Sequence, residues 1–165
     1  ATNEAPRLKG GIESTGIPSL AVLDTTRNGV ETWLVEGGLS FALRDGVMQN
    51  TRGLKDNLMS ADTSQTNAAI NALRDTTVQR KMAFIGPETQ TLVRTFTCEI
   101  ENFGDQIATL ETGPVPAIVM AETCSDATTT FENLYWLRKT DRRVVQSRQW
   151  VSDFIGPIVL RDEPN

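Results

Sequence analysis

Carboxylates are the side chains of this chain best suited to chemistry, because histidine, the commonest general base and metal ligand, is absent. A retaining glycosidase needs two carboxyl groups about 5 Å apart across a cleft. A β-protein this acidic brings some such pair together by chance, so the residues favour a non-enzyme over a carboxylate-based glycan hydrolase. The acidic candidates are Glu31, Glu36, Asp45, Glu99, Glu101, Glu111, Glu122 and Glu132.

Ser147 is the nucleophile to consider, since it precedes a basic residue, Arg148. A serine needs an adjacent base, and without histidine only lysine remains. The lysines are in no familiar spacing to the serine, so Ser147 is better explained as a polar strand residue. The chain also contains no P-loop, dinucleotide fingerprint, zinc spacing or calcium loop, which predicts no cofactor and no bound metal.

A basic and aromatic set of residues is the candidate binding surface. Positive charge in such a set would suit an anionic polysaccharide or a lipid headgroup, and flat aromatic faces suit sugar rings. The alternatives are a solvated hairpin tip with basic edges and aromatic side chains that belong to the core. The residues of this surface are Arg138, Lys139, Arg142, Arg143, Arg148, Trp136 and Trp150.

A β-hairpin must position most of this set. Two apolar and β-branched runs, 131–138 and 143–151, flank a short charged break, which is typical of two strands and a turn. The predicted register places Leu137 opposite Val144 and Trp136 opposite Val145. It also places Asn133 opposite Arg148, so that on a buried face these two would have to bond to each other or to the backbone.

The rest of the chain is predicted to form further hairpins. Asn28-Gly29 and Asp45-Gly46 are strong type I′ turn signals between short β-like runs. Residues 63–74 predict one short helix that covers an open end of the sheet. We therefore expect a mainly β fold, a single antiparallel β-sandwich or barrel-like domain over residues 18–165, with one or two short helices. Residues 1–17 mix charge, Gly and Pro and predict a tail or tether, and the charged end at 161–165 is predicted to fray.

Composition narrows the function classes. A chain of 165 residues is long enough for one domain with a real core. The formal net charge of −5 argues against a nucleic-acid partner. No apolar run is long enough to span a membrane. The chain starts without a charged and then apolar leader, so we expect any signal peptide to lie outside it.

Cys98 and Cys124 are the two cysteines. An even number of cysteines in an exported protein indicates a disulfide, whereas two buried free thiols are common in cytosolic cores. The residues alone leave both possibilities open.

Several ordered motifs resemble the YjbF/GfcB lipoproteins, exported bacterial proteins associated with exopolysaccharide and group 4 capsule production. They are Asn133-Leu-Tyr-Trp136, the run 145–150 and Gly156-Pro157 near the end, and Thr32-Trp33, Leu43-Arg-Asp-Gly46, Thr51-Arg-Gly-Leu54 and Leu58-Met59 earlier. The residues assigned to the family motif are Trp33, Arg52, Gly53, Asn133, Tyr135, Ser147 and Gln149. The chain departs from the family pattern at Lys55, where a glycine is usual, and at Asn57, where an aspartate is usual.

The resemblance implies a non-catalytic lipoprotein of the outer membrane that faces the periplasm and assists assembly or export of an extracellular polysaccharide. It implies a lipid anchor upstream of this chain and, as partners, other polysaccharide-secretion proteins or an anionic polysaccharide. It also favours a Cys98–Cys124 disulfide over free thiols. The alternatives are a periplasmic module that binds a glycan or a small ligand and, less favoured, the carboxylate-based hydrolase.

Overall fold

The computed structural model describes residues 6–163, which form one twelve-stranded antiparallel sheet, one α-helix and one 3₁₀ turn. The mainly β, barrel-like architecture expected from the sequence is confirmed. The strands are β1 (Arg7–Ile12), β2 (Ser19–Arg27), β3 (Val30–Val35), β4 (Leu39–Arg44), β5 (Val47–Arg52), β6 (Leu58–Asp62), β7 (Thr76–Ile85), β8 (Thr91–Leu110), β9 (Gly113–Ser125), β10 (Thr130–Arg138), β11 (Val144–Ser152) and β12 (Gly156–Glu163). The helix is α1 (Ser64–Asn71) and the 3₁₀ turn is Pro87–Thr89.

The sheet curls until its two edge strands, β5 and β6, meet. The strand order is β5-β4-β3-β2-β1-β12-β11-β10-β9-β8-β7-β6, so β5 and β6 are not joined by a backbone ladder. Side chains bridge the seam instead: Thr51 Oγ1 accepts a hydrogen bond from the Leu58 amide at 3.0 Å, and Arg52 Nη1 donates to the Leu58 carbonyl at 3.4 Å. The sheet is therefore a nearly closed barrel whose last gap is filled by polar side chains.

Two of the predicted turns have the expected backbone. Asn28 and Gly29 have φ of 53° and 78°, and Asp45 and Gly46 have φ of 46° and 83°. A type I′ hairpin turn requires positive φ at both central residues, which is why Asn-Gly and Asp-Gly occur there. The predicted hairpins β2–β3 and β4–β5 are confirmed.

The predicted tail is partly wrong, because Arg7–Ile12 is an internal strand. β1 lies between β2 and β12, with Arg7 opposite both Val22 and Glu163. Its only fully buried side chain is Leu8, so no apolar period reveals the strand in the sequence. The predicted fraying end is wrong in the same way for Arg161–Glu163, which belong to β12. Residues 1–5 of the tail and residues 164–165 lie outside the described part of the chain.

The helix closes over the inside of the barrel as predicted, but it is shorter. It ends at Asn71, and Leu73 adopts a left-handed φ of 55° that stops helical propagation before the predicted end at residue 74. Ala69 and Ile70 point into the main core cluster. Among residues 6–163, no helix has the length and apolarity needed to cross a bilayer.

The predicted register of the β10–β11 hairpin is right at one position and wrong beyond it. Leu137 lies opposite Val144 as expected, but an irregularity between Trp136 and Leu137 moves Trp136 opposite Gln146. Arg148 then faces Leu134 rather than Asn133. The extra residue on β11 places Arg148 on the outward face, whereas Asn133 stays on the core face of β10, because a one-residue shift exchanges the two faces of a strand.

A disulfide joins Cys98 to Cys124, as the resemblance implied. The two residues are direct partners on β8 and β9, with Cα atoms 4.0 Å apart, and both side chains are fully buried. The bond therefore ties together two neighbouring strands within the core.

Reduction of this disulfide should lower the free energy of unfolding by about 3–4 kcal/mol. The two cysteines are 26 residues apart, and closing a loop of this size lowers the conformational entropy of the unfolded chain, which destabilises the unfolded state by about that much. Urea unfolding with and without reductant measures the difference. The double variant Cys98→Ser/Cys124→Ser is the control and should be insensitive to reductant. An equal response of the two proteins to reductant would contradict the prediction.

Candidate functional site

A densely bonded polar group in the core of the barrel is the carboxylate of Glu122 on β9. Its Oε1 atom accepts hydrogen bonds from Arg80 Nη1 at 2.8 Å, Asn133 Nδ2 at 3.0 Å and the Tyr135 hydroxyl at 2.9 Å. Its Oε2 atom accepts one from the Thr66 hydroxyl of α1 at 2.6 Å. Glu122 therefore joins three strands and the helix. We call these five residues the Glu122 cluster.

The Glu122 cluster is sealed from solvent. Glu122 and Tyr135 are 0% exposed and Arg80 is 2% exposed. Burial raises the pKa of Tyr135, and the negative charge of Glu122 raises it further. Burial alone would lower the pKa of Arg80, but Glu122 and Tyr135 outweigh that effect and raise it. The cluster thus holds a hydrogen-bonded ion pair in the buried interior, where its groups are not accessible from solvent.

The disulfide lies beside this cluster. The sulfur atoms of Cys98 and Cys124 and a carboxylate oxygen of Glu122 lie within 4.8 Å of one another. Three such groups can form a metal site only if the cysteines are thiolates. The sulfurs are joined to each other, so the trio offers one carboxylate and no thiolate ligand.

A second internal set of hydrogen bonds is centred on Gln149 of β11. Its Oε1 accepts from the Met48 amide at 2.8 Å, and its Nε2 donates to the Gly46 carbonyl at 2.8 Å and to Ser147 Oγ at 3.0 Å. These bonds tie β11 to the β4–β5 hairpin on the other side of the barrel. The side chain of Gln149 therefore acts as an internal brace.

Each residue of the family motif contributes to the hydrogen bonding or packing of the barrel. Asn133 and Tyr135 donate to Glu122. Gln149 bonds to the β4–β5 hairpin and donates to Ser147, and Arg52 bridges the seam. Gly53 follows the seam strand with φ of 86°, and a Cβ there would lie 2.7 Å from the Gly38 carbonyl oxygen. Trp33 is 1% exposed and packs in the core.

The predicted binding surface is divided by the structure. At the β10–β11 turn, Arg138, Lys139 and Arg143 are paired with Asp141, Asp105 and Asp162 at 2.7, 2.6 and 2.9 Å. Arg142 donates to the Asn71 carbonyl at the end of α1 at 2.7 Å. Three of the four basic residues at the turn therefore have an acidic partner.

The two tryptophans of the predicted surface differ in position. Trp150 is 7% exposed and stacks on Phe131 with ring centroids 4.1 Å apart, so its assignment to a surface is wrong. Trp136 is half-buried and faces outward on β10, on the same side of the sheet as Arg148. Trp136 and Arg148 share a concave surface on the outside of the sheet.

A cavity of about 510 Å³ opens at the end of the barrel between α1 and the β2–β3, β4–β5 and β10–β11 turns. Trp33 lines it, and the indole Nε1 has no hydrogen-bond partner within residues 6–163. Acidic groups outnumber basic ones in its lining, which does not suit a polyanion. Its charged lining residues are Glu31, Asp45, Asp141, Asp162, Arg142 and Arg143.

A groove of about 380 Å³ lies on the outer surface of the sheet, across β1, β12, β11 and β10. We call it the outer groove. In contrast to the end cavity, the charged residues that line it are basic throughout the described part of the chain. It is lined by Lys9, Gly10, Pro18, Trp136, Gln146, Ser147, Arg148, Val159, Leu160 and Arg161.

Sequence reasoning missed two kinds of residue. Lys9 and Arg161 fell in segments predicted to be a tail and a frayed end, and only the pairing of β1 with β12 makes them neighbours. Glu122 was one acid among several, although a signal was present. It alternates with Met120 and Cys124 on one face of a strand, and that spacing places it among buried residues.

Comparison with known proteins adds a family and a fold. The family model described as "Group 4 capsule polysaccharide lipoprotein gfcB, YjbF" matches residues 13–161. The crystal structure of the hypothetical lipoprotein YmcC from Escherichia coli (K12) is similar with a TM-score of 0.85 and 17% sequence identity, covering 98% of this chain and 84% of that chain. At this identity the likeness shows a shared fold. No curated protein matches the chain.

Proposed function

The chain belongs to the group 4 capsule polysaccharide lipoprotein family (gfcB, YjbF), and from this membership we propose that it assists assembly or export of an extracellular polysaccharide without catalysing a reaction. The observation that carries the proposal is the family match over residues 13–161, nearly the whole described domain. The motif residues within that match make hydrogen bonds and packing contacts that hold the barrel together, so we interpret the family motif as structural.

The chemistry of the interior supports the non-catalytic part of the proposal. Catalysis requires groups that contact a substrate, whereas the carboxylate of Glu122 is sealed and occupied by four donors. The absence of histidine removes the residue most often used as a general base near neutral pH. Release of reducing ends from isolated polysaccharide by the purified protein would contradict this part.

We further propose that the protein is an outer-membrane lipoprotein, facing the periplasm and anchored through a lipidated residue upstream of this chain. The Cys98–Cys124 disulfide supports an oxidising compartment, since such bonds persist outside the cytosol. Other polysaccharide-secretion proteins are the partners expected for a protein that assists export without catalysis.

The test is the amount of secreted and surface-bound polysaccharide in a strain that lacks the protein. The deletion is complemented with the full-length form and, as the matched control, with a form that cannot be lipidated. Loss of polysaccharide that only the lipidated form restores would support an accessory role at the membrane. Unchanged polysaccharide in the deletion strain would overturn the proposed function.

A further inference from the structure

The outer groove has a regular floor made by one cross-strand row of side chains. Lys9 lies opposite Arg161, Arg161 opposite Gln146, and Gln146 opposite Trp136. Neighbouring strands are about 4.8 Å apart, so this row extends about 14 Å across the sheet. Its direction is perpendicular to the strands, and its length fits a short stretch of an extended oligosaccharide.

The end of the long β8–β9 hairpin contacts two of the residues that line the groove, Trp136 and Lys9. Ala108, Leu110 and Ala117 make a small second core on the outside of the sheet, against which Trp136 packs. Glu111, at the tip of the hairpin, binds Lys9 Nζ at 2.8 Å. The hairpin thus supports the indole ring of Trp136 from one side and leaves it partly exposed beside a polar amide and two basic groups.

The groove has a basic lining in an acidic chain. Of the residues 6–163 that line it, the charged ones are Lys9, Arg148 and Arg161, although the chain has a net charge of −5. Lys9 is paired with Glu111 and Arg148 with Glu13, and these side chains are 33–55% exposed. Ion pairs this exposed contribute little stability, so a carboxylate of a ligand can replace Glu13 or Glu111 at small cost.

We propose that the outer groove binds a strand of an acidic glycan. Arg161, Arg148 and Lys9 bind carboxylate groups of the glycan through charge-assisted hydrogen bonds, while Trp136 contacts a sugar ring and Gln146 binds hydroxyl groups. The concave, narrow shape fits a single polymer strand and not the flat surface of a membrane. The choice of a glycan over other polyanions rests on the proposed function.

Binding of oligogalacturonides to the purified protein tests the proposal. Trp33 and Trp150 are 1% and 7% exposed, so acrylamide quenching of tryptophan fluorescence reports chiefly on Trp136. We expect oligogalacturonides to protect this fluorescence, with an affinity that falls as salt is added. Neutral dextran oligomers of equal length should not protect it. Equal protection by dextran, or none by oligogalacturonides, would overturn the proposal.

Charge variants locate the site. Arg161→Glu should weaken oligogalacturonide binding at least about tenfold, and Arg161→Gln by less, because the first adds repulsion to the lost charge-assisted bond. Arg27→Glu, at an exposed arginine of β2 that does not line the groove, is the matched control and should change the affinity less than about twofold. Thermal unfolding of each variant verifies that it is folded. Equal affinities of the Arg161→Glu and Arg27→Glu variants would contradict the assignment of the binding site to the outer groove.

The proposal that the groove binds an acidic glycan and the proposed function are tested by separate experiments. Unchanged polysaccharide in the deletion strain overturns the proposed function and leaves the binding measurement to judge the groove. If a DNA oligonucleotide bound as tightly as oligogalacturonides, the groove would be a general polyanion site, and that result would overturn the assignment to a glycan.

Discussion

Glu122→Leu should remove about 3–5 kcal/mol of folding free energy, a large part of the 5–15 kcal/mol that a domain usually has. The substitution leaves the buried guanidinium of Arg80 without its counter-charge, and it deprives Asn133, Tyr135 and Thr66 of their common acceptor. A charge without a partner in a dry interior is far more costly than a pair. Urea unfolding at neutral pH measures the loss.

Glu132→Leu is the matched control, because Glu132 lies exposed on the neighbouring strand β10 and its replacement should stay within about 0.5 kcal/mol. A double-mutant cycle with Arg80→Met separates the ion pair from the other bonds. The double variant should be less destabilised than the sum of the two single variants, since it contains no unpaired charge. If Glu122→Leu were as mild as Glu132→Leu, the Glu122 cluster would not be the organising feature of the core.

Gly10→Ala should detach β1 from its neighbour and destabilise the barrel by about 3 kcal/mol or more. A Cβ atom at position 10 would lie 1.8 Å from the Val159 carbonyl oxygen, which is far inside van der Waals contact. The obstacle is backbone of a paired strand, so no side-chain rotation relieves it. Thermal unfolding or urea unfolding of the variant measures the effect.

Gly86→Ala provides the control for this substitution. A Cβ at Gly86 would meet its nearest neighbours at 3.5 and 3.6 Å, which is ordinary contact, so the change should be nearly neutral. The Gly10 variant also discriminates between a strand and a tail at residues 7–12. In a mobile tail, replacement of glycine by alanine would leave the stability of the domain unchanged, and that result would contradict the position of β1 in the sheet.

Local signals predicted much of the fold, because they act within a few residues. Asn28-Gly29 and Asp45-Gly46 specify their hairpin turns through their own backbone preferences. The helix follows from its short alanine-rich segment, and the β10–β11 hairpin from its two apolar runs. In each case the information lies in the segment that adopts the structure.

The parts that could not be predicted depend on distant residues. β1 contains too few apolar side chains to signal a strand, and it is held by ladders to β2 and β12. The irregularity at Trp136 and Leu137 placed Arg148 on the face opposite to Asn133, and no residue type nearby indicates it. A shift of one residue was enough to exchange a core position with a surface position.

The candidate site shows the same division. The predicted surface contained Trp136 and Arg148, which do line the outer groove. It lacked Lys9 and Arg161, because these are far apart in sequence and become neighbours only through the pairing of β1 with β12. The basic residues of the turn are close together in the sequence and therefore predicted a binding surface. Their acidic partners, such as Asp105 and Asp162, come from other strands and could not be assigned from the sequence.

The position of β1 also has a consequence for the order of folding. The ladder between Arg7 and Glu163 joins the first and last described strands, and contacts so distant in sequence form slowly because a long loop must close. Synthesis delivers β1 first and β12 last, so the sheet cannot be completed on a partial chain. Until β12 arrives, β1 has a free edge that can pair with another molecule, and the protein is most exposed to aggregation in that interval.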